Sequence, residues 1–211
     1  MGAPITLYVD SQFLSPYAMS VYVALSEKQL PFEIRPIDLS AGEQWMQPYQ
    51  CRALTARVPA LTHDDFNLTE SSVITEYLDE VFPPPRHAAL YPQAVRFRAR
   101  ARQLQAWLRS DLTALRQERP TETVFYGATG QPLSDAAHAA SAKLLRVASH
   151  LLPAGQANLF EQWCIADLDL AVMLKRLAQD DLPDPLRAYV DAQWQRPSVQ
   201  KWLEHNAAAR D

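Results

Sequence analysis

Strand-forming and helix-forming periodicities are segregated along this chain: every convincing strand precedes residue 70, and helical spacing dominates from residue 93 onward. Ile5-Thr6-Leu7-Tyr8-Val9 is short, β-branched and aromatic, which predicts a strand, and the alternation Phe32-Glu33-Ile34-Arg35-Pro36-Ile37 predicts a second. Between them Tyr17, Val21, Ala24 and Leu25 share one helical face from Pro16 until Leu30-Pro31 ends the run. A strand, a helix and a strand at this spacing read as a parallel βαβ unit. Pro36 cannot donate to a ladder, so the second strand belongs at a sheet edge. Residues 38–57 read as loop with a short helix. The runs Val58–His63 and Phe66–Leu68 about Asp64-Asp65 predict an antiparallel hairpin. Val73, Ile74, Tyr77, Leu78 and Val81 then predict a helix behind the cap-like Thr69-Glu70-Ser71-Ser72. The first domain, residues 1–82, is therefore expected to be α/β in the order βαβαββα.

Pro83-Pro84-Pro85 stops that helix and opens a linker over 83–92. Residues 93–211 are expected to form a separate all-α domain. Phe97, Ala101, Leu104, Leu108, Leu112 and Leu115 predict one long helix, and residues 134–152 a second, with Gly127 and Gly130 in the loop before it. Residues 165–178 are apolar almost all round, which predicts the central helix of a bundle. Cys164 and Asp167 have capping-box spacing at its start and read as a structural cap. Segments 184–194 and 198–208, parted by Arg196-Pro197, supply two final helices.

A net charge of −4 over 211 residues argues against nucleic acid as a partner. Arg96, Arg98, Arg100 and Arg102 fall two apart and scatter around a helix rather than forming one basic stripe. Cys51 and Cys164 are far apart and unaccompanied by Cys-x-x-Cys spacing, which argues against a disulfide framework, a dithiol centre and a metal site, and fits a reducing, cytoplasmic compartment. No apolar run reaches membrane-spanning length, no signal peptide is evident, and the formal myristoylation match at Met1-Gly2 with Thr6 reads as coincidence before Pro4 and a strand.

Within the first domain the run Phe13-Leu14-Ser15-Pro16-Tyr17 lies between strand and helix. Ser-Pro at this junction is a helix start, since serine accepts from orphan amides and proline tolerates the first helical position. The same helix N-terminus with a hydroxyl donor suits an anion or a thiolate. Both readings stand on the residues alone.

Ser15-Pro16-Tyr17, Val23-Ala24-Leu25-Ser26-Glu27-Lys28, Arg57-Val58-Pro59-Ala60-Leu61, Thr69-Glu70-Ser71-Ser72 and Ile165-Ala166-Asp167, in this order and spacing, resemble the cytosolic glutathione transferases. The stretches Gln105–Leu112 and Trp163–Asp167 look closest to the bacterial YfcF-type members. The resemblance implies a thioredoxin-like N-terminal domain, a helical C-terminal domain, glutathione as co-substrate and no metal. It implies that Ser15 is catalytic and stabilises the thiolate; Ser11 is the rival hydroxyl. It implies that Val58-Pro59 presents backbone to the cysteinyl part of glutathione through a cis proline, an isomer the sequence leaves open. Glu70 and Ser71 would hold the γ-glutamyl end, and Arg57, with Gln44 as a further candidate, the glycyl carboxylate. The second substrate is placed in a cleft between domains near Gln12, Phe13, Trp107 and Asp111.

The expectation is thus a dimeric cytoplasmic transferase that conjugates glutathione to small hydrophobic electrophiles and reduces organic hydroperoxides, because serine at position 15 cannot form the mixed disulfide that cysteine would. A zeta-like isomerase shares the Gly42-Glu43-Gln44 and Val58-Pro59 elements but has a different start around Ser15. A non-catalytic stress or assembly protein of the same fold would have no need to keep Ser15, Val58-Pro59 and Glu70-Ser71 together.

Overall fold

A computed structural model describes residues 4–127, 131–153, 156–177 and 181–210. Met1-Gly2, Gly130 and the end of the helix expected over 165–178 lie outside them. By packing, the chain forms two compact units, one ending at Leu90 and resumed from Pro197 onward, the other spanning Tyr91–Arg196.

In the first unit, β1 (Ile5–Asp10), β2 (Glu33–Ile37), β3 (Ala60–His63) and β4 (Phe66–Thr69) form one sheet in the order β2-β1-β3-β4. β1 and β2 are parallel across helix α1 (Pro16–Glu27), and β1–β3 and β3–β4 are antiparallel. Pro36 occupies edge strand β2, where its missing donor costs no ladder bond. The short helix expected between β2 and β3 is a single 3-10 turn, Glu43–Trp45, entered through Gly42 at φ 77°, a conformation glycine adopts without a Cβ clash. Tyr49 and Ala53, from the loop that follows, pack with Tyr8, Ile37, Ala60 and Val58. By strand alternation Tyr8 faces opposite to Leu7 and Val9, so both sheet faces are covered.

Nearly all of α1 is buried, from Ala18 through Leu25, because three elements share it: β1, α2 (Ser71–Val81) and the last helix, Pro197–Ala208. That last helix packs on α1 of the N-terminal unit. Trp202, wholly buried, brings it there by packing its ring on Phe13 and Tyr22. Just beyond α1, Lys28 is buried with its Nζ donating to Asp79 Oδ1 at 3.1 Å and to the carbonyls of Phe82 and Ala88 at 2.8 Å. Asp79 also accepts from Leu90 N. The buried charge pair is thereby fully hydrogen-bonded, as such a pair must be to offset its desolvation, and it fastens the proline-rich stretch to the sheet domain.

The second unit contains α3 (Val95–Ser110), α4 (Thr113–Glu118), α5 (Thr121–Tyr126), α6 (Asp135–Leu151), α7 (Ile165–Leu174) and α8 (Asp184–Trp194), and α9 is the Pro197–Ala208 helix of the first unit. No strand occurs in it among the described residues. The single long helix expected through Leu115 is instead broken at Asp111-Leu112. Leu112 takes φ 59°, and the Asp111 carboxylate accepts from Leu112 N at 2.7 Å and Trp107 Nε1 at 2.9 Å. The apolar period runs through the break because Leu108, Leu112 and Leu115 stay buried on both sides of it. Helix α7 is buried at every position and packs on α3, α6 and α8, the central place that an apolar circumference requires.

Candidate active site

The sheet register gathers three junctions at one end of the sheet. Strand β1 ends at Asp10, Tyr8 lies opposite Ala60 at the start of β3, and Ala60 lies opposite Thr69 at the end of β4. The Ser15 loop therefore leaves the same end of the sheet at which Val58-Pro59 enters it and Glu70-Ser71 departs.

Between β1 and α1 the chain makes a tight five-residue connection whose backbone is held almost group by group. Ser11 N donates to Ile37 O and Phe13 N to Asp10 O. The Asp10 carboxylate, buried, accepts from Leu14 N at 2.6 Å and Ser15 N at 2.9 Å. Ser15 is the N-cap of α1: its Oγ accepts from Ala18 N at 3.2 Å, and Pro16 takes the first helical position. The cap occupies a lone pair of the hydroxyl. Its hydrogen has no acceptor among the described residues, so the group that caps the helix still has its one donor to offer.

Val58–Pro59 is cis, as are Gln47–Pro48 and Pro84–Pro85. Val58 is half-buried, Pro59 buried and Arg57 exposed. Tyr49 OH donates to Arg57 O at 2.6 Å, fixing the approach to Val58, and burial together with the neighbouring Tyr8 pushes the Tyr49 phenol well above its usual pKa, so it remains a donor. Gln44 Nε2 makes only a long 3.4 Å contact with Leu39 O. Glu70 is exposed at the N-cap of α2 with φ 70° and ψ 109° and makes no side-chain cap bond, while Ser71 is buried. The first turn of α2 is thus not closed by the residue before it, and its amides and the helix dipole favour an anion.

Of the residues expected at the second substrate, Gln12 is exposed. Phe13 is buried, its ring stacked on His205 and edge-on to Trp202. Trp107 and Asp111 belong to the helical unit, where Trp107 Nε1 and Lys143 Nζ both donate to Asp111 Oδ2 at 2.9 Å. Those bonds, with that from Leu112 N, pull the Asp111 pKa down to about 2. Cys164 and Asp167 stand at the start of α7, where Asp167, fully buried, accepts from Cys164 N at 2.9 Å, Leu159 N at 2.7 Å and Tyr189 OH at 2.9 Å. Burial and the adjacent Asp167 push the Cys164 thiol well above its usual pKa. Among the described residues no group of three or more His, Cys, Asp or Glu could hold a metal ion, and no helix is long and apolar enough to cross a membrane.

Asp10, Tyr49 and Asn206, the last donating from the Pro197–Ala208 helix to Gln12 O at 2.9 Å, hold the backbone around Ser15 and Val58 and escape a reading of the sequence. Asp10 ends a strand as many aspartates do, and nothing local marks the other two.

A thioredoxin-like sheet domain with a hydroxyl-capped helix after β1, a cis proline before β3 and an open helix start after β4, joined to a helical domain, defines the glutathione transferase class of fold. Comparison with known proteins agrees. Residues 13–86 match the glutathione S-transferase N-terminal domain and residues 94–208 the C-terminal domain. A glutathione transferase homologue from Burkholderia gl BGR1, solved with bound glutathione, is 45% identical, with 97% of this chain and 98% of that one covered and a TM-score of 0.80. Human glutathione S-transferase theta-1 is 34% identical over 151 residues, 69% of this chain and 60% of that protein. Mouse maleylacetoacetate isomerase is 36% identical over 116 residues, 54% of this chain and 51% of that protein. The matches span about half to three fifths of these curated relatives. The chain belongs to the glutathione S-transferase family.

Proposed function

We propose that the protein is a glutathione transferase in which Ser15 donates its hydroxyl hydrogen to the sulfur of bound glutathione, holding it as thiolate for attack on an electrophile. The observation that carries this reading is that Ser15 caps α1 through a lone pair and keeps its donor unused. Each unit by which the thiol pKa falls is worth about 1.4 kcal/mol, and the α1 dipole adds about 0.3–1 kcal/mol in the same direction. In conjugation the sulfur forms a bond to carbon as the leaving group departs with its electron pair. With an organic hydroperoxide, the sulfur takes the distal oxygen and releases the alcohol, and a second glutathione then yields the disulfide and water. Neither reaction requires covalent attachment to the protein.

For glutathione itself, the backbone of Val58 before Pro59 is the partner of the cysteinyl unit, Glu70 and Ser71 with the start of α2 take the γ-glutamyl ammonium and carboxylate, and Arg57 meets the glycyl carboxylate, with Gln44 as a second contact. The exposure of Arg57 and Glu70 and the absence of a side-chain cap on α2 support these roles. Gln12, Phe13, Trp107 and Asp111 are the proposed contacts of the hydrophobic second substrate, each to be tested singly. The YfcF-type likeness of the Trp107 and Trp163 stretches, two unpaired cysteines and the family resemblance support a cytoplasmic homodimer. A zeta-like isomerase is the second reading, favoured by the likeness to maleylacetoacetate isomerase.

Initial rates with glutathione against a model aryl halide, cumene hydroperoxide and maleylacetoacetate test these readings together. Turnover of the halide or the hydroperoxide, falling about tenfold or more in Ser15→Ala, supports the transferase; turnover confined to maleylacetoacetate supports the isomerase. Glutathione binding without any turnover would return the chain to a binding role.

A further inference from the structure

The connection from β1 to α1 is closed from the far end of the chain. Asn206, buried on α9, donates through Nδ2 to Gln12 O at 2.9 Å and reaches Phe13 O at 3.5 Å. Asp10 takes the amides of Leu14 and Ser15 from the other side. The connection thus has the amides of Phe13, Leu14 and Ser15 held by Asp10 of β1 and that of Ser11 by Ile37 O of β2, while two of its carbonyls meet α9, most of the accounting that a buried backbone demands. Phe13 has φ 53°, a left-handed conformation that a residue with a Cβ rarely adopts and that persists only where its surroundings enforce it. The enforcing surroundings are again α9: the Phe13 ring lies 5.1 Å from His205, stacked at 15°, and 5.1 Å from Trp202, edge-on at 65°. Two residues further on is Ser15.

We infer that Asn206 is a positioning residue for the Ser15 hydroxyl, so that the C-terminal helix sets the ionisation of bound glutathione without touching it. This rests on the thiolate-stabilising role proposed for Ser15. Residues 11–15 carry one backbone geometry, and Ser15 Oγ is aimed by it; removing the Asn206 donor releases the Gln12 and Phe13 carbonyls and lets the hydroxyl leave the sulfur.

The test uses the full chain with Asn206→Leu, Asn206→Ala, Ser15→Ala, the double variant Ser15→Ala/Asn206→Ala, and Ser198→Ala. Ser198 Oγ donates to Glu27 Oε1 at 2.5 Å on the same helix, away from the loop, and so reports loosening of α9 alone. Three quantities are read: the pH at which bound glutathione ionises, followed by thiolate absorbance; kcat/KM; and amide exchange over residues 11–19. Both Asn206 variants are expected to raise the thiol pKa by about one unit, lower kcat/KM about tenfold and speed exchange in the loop. The double variant should be no worse than Ser15→Ala, because one residue acts through the other. Ser198→Ala should leave ionisation and loop exchange at wild-type values.

Unchanged loop exchange in the Asn206 variants, or a double variant with multiplied losses, overturns the inference. Faster loop exchange in the Asn206 variants beside a Ser15→Ala protein of wild-type thiol pKa would sink the role of Ser15 and leave Asn206 as the residue that holds the loop. The Asn206→Ala variant, which adds no bulk, keeps the test open if Asn206→Leu does not fold.

Discussion

At Ser15 a lone pair accepts from Ala18 N, and the hydroxyl hydrogen remains for a ligand; capping and the thiolate stabilisation proposed for this residue therefore occupy different parts of one side chain and do not compete. Glu70 shows the opposite economy, sitting at φ 70° with no side-chain cap bond, a conformation that costs about 1–3 kcal/mol. Glycine at this position relieves that strain but removes the carboxylate proposed for the γ-glutamyl ammonium. Glu70→Gly is expected to gain about 1 kcal/mol of stability while raising KM for glutathione several-fold, to be checked by thermal denaturation beside steady-state kinetics. A lower stability with unchanged KM would contradict both halves of that expectation. Asp111 makes a pH-dependent prediction. Lys143, Leu112 N and Trp107 lower its pKa to about 2, so its contribution is present above the unfolded value of about 3.9 and is lost as pH falls toward 2. Asp111→Asn should therefore be less stable than wild type at neutral pH, with the gap closing between about pH 4 and 2 in acid-denaturation curves.

Among the elements, those with a local signature are the ones the sequence reveals. Helix α1 is legible from Ser15-Pro16 and its apolar period, edge strand β2 from Pro36, and α7 from its apolar circumference. The break between α3 and α4 is not, because it keeps Leu108, Leu112 and Leu115 on the buried side and is caused by side-chain bonds to Asp111. The packing of α9 on α1 is equally silent, since nothing in Trp202 or Asn206 says which apolar surface they meet. Of the candidate site, Ser15, Val58-Pro59 and Glu70-Ser71 stand in recognisable runs, whereas Asp10, Tyr49 and Asn206 act through backbone groups that carry no residue-type signal. At the start of α7, Asp167 accepts from two amides and the Tyr189 hydroxyl. Asp167→Ala leaves the buried Leu159 and Cys164 amides unmatched, while Tyr189 OH keeps the backbone carbonyl of residue 167 at 3.0 Å; it is expected to cost about 2–5 kcal/mol, read as a lower denaturant midpoint. A loss under about 1 kcal/mol would mean that water replaces the carboxylate.

Over the whole molecule, the chain returns to its beginning: residues from Pro197 onward pack with those before Leu90, so the loop that bears Ser15 is built from both ends of the sequence. A net charge of −4 supplies no general attraction for an anionic tripeptide, so the proposed site assigns its capture to helix starts, backbone groups and Arg57 at one end of the sheet. The central claim is that Ser15 holds glutathione as thiolate, and it is met most directly by titrating bound glutathione through its thiolate absorbance in wild type and Ser15→Ala. The account predicts a thiol pKa below that of free glutathione in the wild-type complex and higher by about one unit or more in the variant; the same pKa in both complexes would contradict it.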